Sequence, residues 1–575
     1  MESAVEIPVE PPESGSARLR GQKRMRLVAI CFTASFLAIC GQLGYLSVYK
    51  NFGAANAPLA QYEPRMPRPD IVDRNGQVLA TDISLASLYA EPNKIIDVDE
   101  AVELLTAADP GLDAKMLRAR LSQSKKGFAW LKREVSPELK EEIFNLGIPG
   151  IGFRSETKRI YPMGRLAAHI LGYVDLDSIG IAGIEKYLDD QGAIYTASLA
   201  DPEKRSTTPA YTSIDIRVQH AVTDELTKAI QKFRARAGGS IVMDVETGEV
   251  VAMVSLPDFN PNATDKNFSK SQQNMMTSGV FELGSVIKAI TFAMAFDYGI
   301  TDLNGRYDTR APLVIGRNVI TDYHPMRRII TVPEVFTNSS NIGTAKMALQ
   351  AGLEGHQAFL ERVGLFDRLT TEIPESARPL LPKRWSKITS ATAAFGHGFA
   401  VQPLQGLQVV SGLLNGGLMI PPTFIKRDKE TARAQGKQIV KPETSEKMRY
   451  LFRLNAVDGT ASRAEVPGYR VGGKTGTAEK VVNGRYARDK RLSSFIGAFP
   501  MDAPRYSVLV MLDEPQALPE TYGFATAGWN AVPTAGKIIA RIAPILGTGL
   551  KLTPEDREKL EKQAKAEAKA QVKAN

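Results

Sequence analysis

Residues 282–292 read Glu282-Leu283-Gly284-Ser285-Val286-Ile287-Lys288-Ala289-Ile290-Thr291-Phe292, and from Val286 to Phe296 the only charge is Lys288. Ser-x-x-Lys occurs at four places, beginning at Ser47, Ser122, Ser155 and Ser285, so the tetrapeptide alone decides nothing. Context separates the four. Ser47 lies in an apolar run, and Ser122 and Ser155 lie in lysine-rich polar surroundings, whereas Ser285 opens an almost uncharged helix in which a lysine is partly desolvated. Residues three apart share a helix face with Cβ atoms about 5–6 Å apart, so the Lys288 amine can reach the Ser285 hydroxyl. A free lysine, with a pKa of about 10.4, is a poor base at neutral pH. Burial beside a second cation lowers that value and lets the amine take the serine proton. The alternative is structural: Ser285 caps the helix and Lys288 snorkels to water.

Working outward, Ser339-Ser340-Asn341 is the only Ser-x-Asn in the chain and Lys474-Thr475-Gly476 the only Lys-Thr-Gly. They follow Ser285 in the order found in serine acyl-transfer enzymes of the β-lactamase and penicillin-binding type. With them the sequence resembles the class B penicillin-binding proteins, which carry a transpeptidase domain without a glycosyltransferase. The resemblance runs from about residue 65 to 545. It includes Ile71-Val72-Asp73-Arg74-Asn75-Gly76-Gln77-Val78-Leu79-Ala80, Arg159-Ile160-Tyr161-Pro162, Ala168-His169-Ile170-Leu171-Gly172-Tyr173-Val174 and Gly183-Ile184-Glu185-Lys186-Tyr187. His169 and Glu185 are read as packing or hydrogen-bonding residues. Two departures touch loop geometry: Arg68-Pro69-Asp70-Ile71, where the family usually has Arg-Gly, and Glu282-Leu283-Gly284-Ser285, where it often has Pro before the Gly.

From Leu27 to Tyr49 run 23 residues without a charge, about 34 Å as a helix against a hydrocarbon core of ~30 Å. Arg18, Arg20, Lys23, Arg24 and Arg26 flank its N-terminal side, and only Lys50 precedes Arg65 on the other. The positive-inside rule then places the first 26 residues in the cytoplasm and the rest outside. Ala55-Asn56-Ala57 looks like a signal cleavage site, but a signal core of 7–15 residues is shorter than this run. Net charge is +9, from 72 basic and 63 acidic residues, with only +1 in residues 1–26 and +2 in residues 551–575. So thin a spread excludes a nucleic-acid footprint. The two cysteines, Cys31 and Cys40, both lie in the apolar run, and there are five histidines. Neither a disulfide framework nor a metal enzyme is expected, and no cofactor is implied.

The expected organisation is a cytoplasmic tail (1–26), a transmembrane helix (27–49), a Pro-rich linker and periplasmic pedestal domain (50–212), a transpeptidase domain (213–550) and a charged tail (551–575). Residues 98–147 read as short amphipathic helices. Ile216 to about Phe233 reads as a helix, Ser240–Asp244 and Val250–Ser255 as a hairpin, and Ala478–Val482 with Ser494–Phe499 as another across Asn483-Gly484. Thr553 and Pro554 mark a last helix start. The resemblance implies an α+β, multidomain fold: a single transmembrane helix, an elongated pedestal, and an antiparallel sheet covered by helices with an all-helical subdomain.

The resemblance also implies roles. Ser285 attacks the carbonyl between the two D-alanines of a peptidoglycan stem peptide, Lys288 takes its proton, and Ser339 relays a proton to the leaving amine. Asn341 binds Lys288 and the substrate amide, and Lys474 supplies positive field near Lys288 and the donor carboxylate. Thr475, Gly476 and Thr477 bind the donor, with the backbone N–H groups of Ser285 and Thr477 as oxyanion hole. Glycines at 472, 473 and 476 are expected to let a peptide approach closely. Ser-Ser-Asn with Lys-Thr-Gly-Thr, Val332-Pro333-Glu334-Val335-Phe336 and Gly396-His397-Gly398 through Gln405 resemble division-type landmarks. No repeated domain follows residue 550, which is read against the longer Gram-positive forms. The expected function is a septal D,D-transpeptidase of the inner membrane, acylated by β-lactams. Its expected partners are a membrane glycan-polymerising glycosyltransferase and other divisome proteins. An elongation-type transpeptidase, a carboxypeptidase or β-lactamase-like hydrolase, and a non-catalytic penicillin-binding scaffold or sensor are the rival readings.

Overall fold

The computed structural model describes residue 26 and residues 29–42, 68–123, 127–191, 208–263, 273–482, 484–558 and 560–561. Most of residues 1–26 and of the Pro-rich linker, the turn-rich tract at 192–207, Asn483 and residues 562–575 lie outside the described residues. Of the expected span at 27–49, residues 29–42 are an exposed helix, and the rest of the run lies outside them too. No helix among the described residues is long and apolar enough to cross a membrane.

The chain divides into two compact units. One takes in residues Leu85–Glu156, together with Met1–Arg65. The other is Met66–Ser84 with Thr157–Asn575. Short strand β1 (Ile71–Val72) turns through Gly76, at φ +88°, into the long β2 (Val78–Ala90), whose far half enters the first unit. There it pairs antiparallel with β3 (Ala129–Val135), in the register Ala86↔Val135 to Ala90↔Ala129, and β4 (Ile151–Ile160) also pairs with β2. Around that pair fold α1 (Val98–Ala108), α2 (Ala114–Leu121) and α3 (Pro137–Asn145), each opened by a capping side chain, Asp97, Asp113 or Ser136. Leu88, Leu105, Leu117, Leu131 and Ile143 form its core. The expected chain of short helices between 98 and 147 is therefore interrupted by a strand. Its Leu131 and Val135 are buried because β2 offers a partner edge, a tertiary fact that no local pattern carries.

At the start of the larger unit Arg68 and Arg159 clasp one carboxylate. Both donate to Glu185, at 2.9 and 2.7 Å, and Arg159 also donates to Asp82 at 3.0 Å. Glu185, on α4 (Gly183–Asp190), is fully buried, so it is a structural ion as expected. Charge pairing makes that burial tolerable; removing one partner from such a cluster costs about 3–5 kcal/mol.

The unit's centre is a five-stranded antiparallel sheet. In chain order come α5 (Ile216–Lys232), β5 (Ala237–Asp244), β6 (Val250–Leu256), α6 (Lys288–Asp297), α7 (Val332–Thr337), α8 (Asn341–Arg362), α9 (Pro403–Leu414), α10 (Pro442–Asp458), β7 (Gly472–Val482), β8 (Arg485–Phe499), β9 (Tyr506–Asp513) and α11 (Ala531–Ile545). The strands lie in the order β7-β8-β9-β5-β6. Alternation sorts their side chains: Val242, Val508 and Val510 join the core under α5 and α11, whereas Ile241, Met243, Leu509 and Met511 join the core with α6 and α9. Both faces being covered, the inner parts of β5, β6 and β9 read as nearly continuous apolar runs. β7 is an edge strand, and α6 is buried at all ten positions.

Candidate active site

The turn before α6 is a single 3-10 turn, Gly284–Val286, with Gly284 at φ +55°. A Cβ at Gly284 would come within 3.0 Å of the Thr477 carbonyl, and one at Gly476 within 2.3 Å of the Leu283 carbonyl. The two glycines therefore let β7 and the Ser285 turn touch backbone to backbone. Gly472 and Gly473 serve packing instead, since side chains there would overlap Met501 and the Phe495 ring. These glycines therefore serve close packing within the chain. Ser285 caps no helix and is partly exposed, while Lys288 is fully buried. The cap-and-snorkel alternative is excluded.

The three motifs converge on one hydroxyl. Lys288 Nζ donates to the Ser339 carbonyl oxygen and, at 3.0 Å, to Ser339 Oγ. Lys474 Nζ, also fully buried, donates to the same Oγ at 3.0 Å and lies 5.7 Å from the Phe336 ring centroid. A serine oxygen has two lone pairs and one hydrogen. With both lone pairs engaged by lysines, the Ser339 hydrogen is left to donate outward. No hydrogen bond joins Lys288 to Ser285 among the described residues. A neutral Lys288 amine that directs its two N–H bonds at Ser339 keeps its lone pair free for a third partner.

Electrostatics favours that neutral amine. Burial first, and the Lys474 charge second, hold Lys288 well below the usual lysine range, opposed by the Asp322 carboxylate. Burial pushes Lys474 down to about 7. Burial and the Lys288 charge also hold the His397 imidazole below its usual value.

Ser339 itself sits at φ +56°, between α7 and α8. The unusual backbone is fixed from both sides. Thr331 and Glu334 form a capping box at the start of α7, and Ser340 caps α8 while donating to Asp322 at 2.7 Å. Asp322 also accepts from the Ile342 N–H at 3.0 Å. The Asn341 side-chain amide donates to the Thr321 carbonyl at 2.9 Å rather than to Lys288. Asn341 thus ties the loop down, in contrast to its expected contact with Lys288. On β7 the Thr475 hydroxyl donates to Thr460 at 2.9 Å, and Thr477 Oγ1 accepts from the Ala527 N–H at 3.1 Å. Gly476 lies between them against the Ser285 turn.

Sequence reasoning missed Asp322 and Thr460. An isolated aspartate or threonine in a loop carries no signal of what folds onto it. Asp322→Asn is expected to move the acidic limb of the acylation rate to lower pH. Activity is lost as Lys288 protonates, and removing the negative charge lowers the Lys288 pKa. The same change should cost about 1–3 kcal/mol of stability through the disturbed buried hydrogen bonds, readable in a denaturant titration alongside the pH profile.

A family model described as the Penicillin binding protein transpeptidase domain matches residues 238–537, which include all three motifs. The chain belongs to the penicillin-binding proteins. A second family model, the Penicillin-binding Protein dimerisation domain, matches residues 65–191, and the pair makes this a class B penicillin-binding protein. It is 37% identical over 543 residues to the probable peptidoglycan D,D-transpeptidase FtsI of Caulobacter vibrioides, covering 92% of this chain and 90% of that protein. It is 35% identical over 502 residues to the probable peptidoglycan D,D-transpeptidase PenA of Neisseria gonorrhoeae, covering 84% of each. Identity to the peptidoglycan D,D-transpeptidase FtsI of Escherichia coli K12 is 30% over 497 residues, covering 82% of each. The mixed architecture and the two-domain layout of the penicillin-binding proteins agree with that part of the fold expected from the sequence, whereas no helix among the described residues supports the expected transmembrane span.

Proposed function

We propose that this penicillin-binding protein is the septal peptidoglycan D,D-transpeptidase, which cross-links stem peptides through a Ser285 acyl-enzyme formed at D-Ala-D-Ala and is acylated there by β-lactams. The observation that carries the reading is the pair of buried lysines, Lys288 and Lys474, sharing Ser339 Oγ beside the Ser285 turn. In this reading neutral Lys288 takes the Ser285 proton as Oγ attacks the carbonyl, and Ser339 passes a proton to the departing D-alanine amine. The ester formed splits one hard step into two easier ones. The backbone N–H groups of Ser285 and Thr477 hold the developing oxyanion, a donor of this kind contributing ~3 kcal/mol to the transition state. Lys474, with the Thr475 and Thr477 hydroxyls, holds the donor carboxylate, and Asn341 fixes the loop that carries Ser339.

The catalytic domain is taken as residues 213–550 and the pedestal as 50–212. The uncharged run at 27–49 is proposed to anchor the chain in the inner membrane, N-terminus inward and catalytic domain periplasmic, at the division septum. Its expected partners there are a glycan-polymerising glycosyltransferase and other divisome proteins. Turnover of a stem-peptide donor with and without an acceptor amine tests the function. A transpeptidase yields the amide product with the amine present, a hydrolase yields only the free acid in both cases, and a scaffold or sensor yields neither.

Lys474→Ala tests the electrostatic part. Removing a positive charge raises the Lys288 pKa, so the acidic limb of acylation should move to higher pH, each pKa unit being about 1.4 kcal/mol. Capture of carboxylate-bearing donors and β-lactams should weaken far more than that of an uncharged donor ester. Equal losses on charged and uncharged donors with a stationary pH profile would make Lys474 a prop for the strand.

A further inference from the structure

Glu282 lies three residues before Ser285 and is half-buried. Its Oε1 accepts from the Gly398 N–H at 2.9 Å and from the Tyr486 hydroxyl at 3.1 Å, whereas Oε2 has only a longer contact with Tyr486, at 3.3 Å. Both donors are neutral, and no cation among the described residues pairs with this carboxylate. A desolvated carboxylate without a countercharge is costly, and burial accordingly pushes the Glu282 pKa up. His397 adjoins it. Its ring lies 5.8 Å from that of Tyr486, and its Nδ1 is buried without a hydrogen-bond partner among the described residues. Burial holds the pKa of this imidazole below its usual value, which favours the neutral form, and a neutral imidazole has one accepting nitrogen.

A cross-linking enzyme must hold two groups of opposite charge. The donor ends in a carboxylate, for which the site offers Lys474. The acceptor brings an alkyl amine, which is cationic at neutral pH. Among the described side chains, the carboxylate that borders the nucleophile turn and pairs with no cation is Glu282. We propose that Glu282, with Tyr486 and His397, forms the subsite that captures the ammonium group of the acceptor. This assignment rests on the transpeptidase reading above. The ammonium takes Oε2, while Gly398 and Tyr486 hold Oε1 in place. Before reaction it releases one proton to solvent. The amine nitrogen then attacks the acyl carbonyl, the C–N bond forms, the bond from the acyl carbon to Ser285 Oγ breaks, and a second nitrogen proton ends on that Oγ.

The test separates the two half-reactions on the full chain, with a thioester analogue of the donor stem peptide. Acylation is read by penicillin labelling, and acyl transfer by the amide product formed with a peptide bearing a side-chain amine or with hydroxylamine, a neutral nucleophile at pH 7. Glu282→Gln keeps an accepting oxygen for Gly398 and Tyr486 but loses the charge. It is expected to raise the KM of the cationic acceptor about tenfold, with much smaller changes in labelling and in transfer to hydroxylamine. Tyr486→Phe, which keeps the charge and leaves Gly398 holding Oε1, should raise that KM by much less than Glu282→Gln. If Tyr486→Phe copies Glu282→Gln, or if both nucleophiles and labelling fall together, Glu282 is a tie to the β7–β8 hairpin and the proposal is overturned. A measurement on the unaltered protein stands beside these. A quaternary ammonium analogue of the acceptor should compete with amide formation but not with labelling, and absence of competition rejects the subsite. If the unaltered protein makes no amide at all while hydrolysing the donor, the transpeptidase reading itself has failed.

Discussion

Ser285→Ala is expected to reduce covalent labelling by a fluorescent penicillin to background while the protein unfolds at the same denaturant concentration as before. The first half follows from the loss of the only attacking oxygen. The second follows from the surroundings: the Ser285 hydroxyl caps no helix and makes no hydrogen bond with Lys288, so its removal should change stability by no more than about 0.5 kcal/mol. Labelling of the alanine variant at unchanged stoichiometry would falsify the nucleophile assignment. A variant that loses labelling and stability together would show that the hydroxyl holds the turn.

The second large effect concerns the base. Lys288→Arg puts a fixed positive charge beside Ser339 and cannot present a lone pair, because guanidinium stays protonated in proteins. Acylation should slow by about 10²–10⁴, the usual span of a general base. The larger head must fit a fully buried position, so a stability loss of about 1–3 kcal/mol from overpacking is also expected. The rate is therefore to be measured on folded protein, checked by circular dichroism. Near-normal acylation in the arginine variant would assign Lys288 the role of a cation.

Local spacing made part of this site legible. Ser285 and Lys288 are three residues apart at the head of an apolar run, and that run does become a helix buried at every position. The resemblance added Ser339 and Lys474, 54 and 189 residues further on, which no periodicity could bring to the same oxygen. In the sheet, β5 and β6 lie close to the expected strands, and β8 extends well before its expected start at Ser494. What stayed hidden depends on tertiary closure. Asp322 reads as one more loop aspartate until Ser340 and Ile342 fold onto it. β3 reads as part of a helical stretch until β2 offers it an edge. Glu282 looks like an ordinary charge until the hairpin carrying Tyr486 comes over it.

The sheet order also sets a clock. Strand β5 pairs with β9 in the register Tyr506↔Asp244 to Asp513↔Ala237, so roughly 260 residues of synthesis separate the two partners. At about 5–20 residues per second, the β5–β6 hairpin waits between ~13 and ~52 s with one edge lacking its neighbour. Such non-local pairing is slow and leaves strand edges open to wrong partners. Lys474, on β7, is tied to that waiting edge only through β8 and β9. Covalent capture of penicillin is therefore a readout of completed folding: chains cut short before Asp513 should remain unlabelled even though they already contain all three motifs.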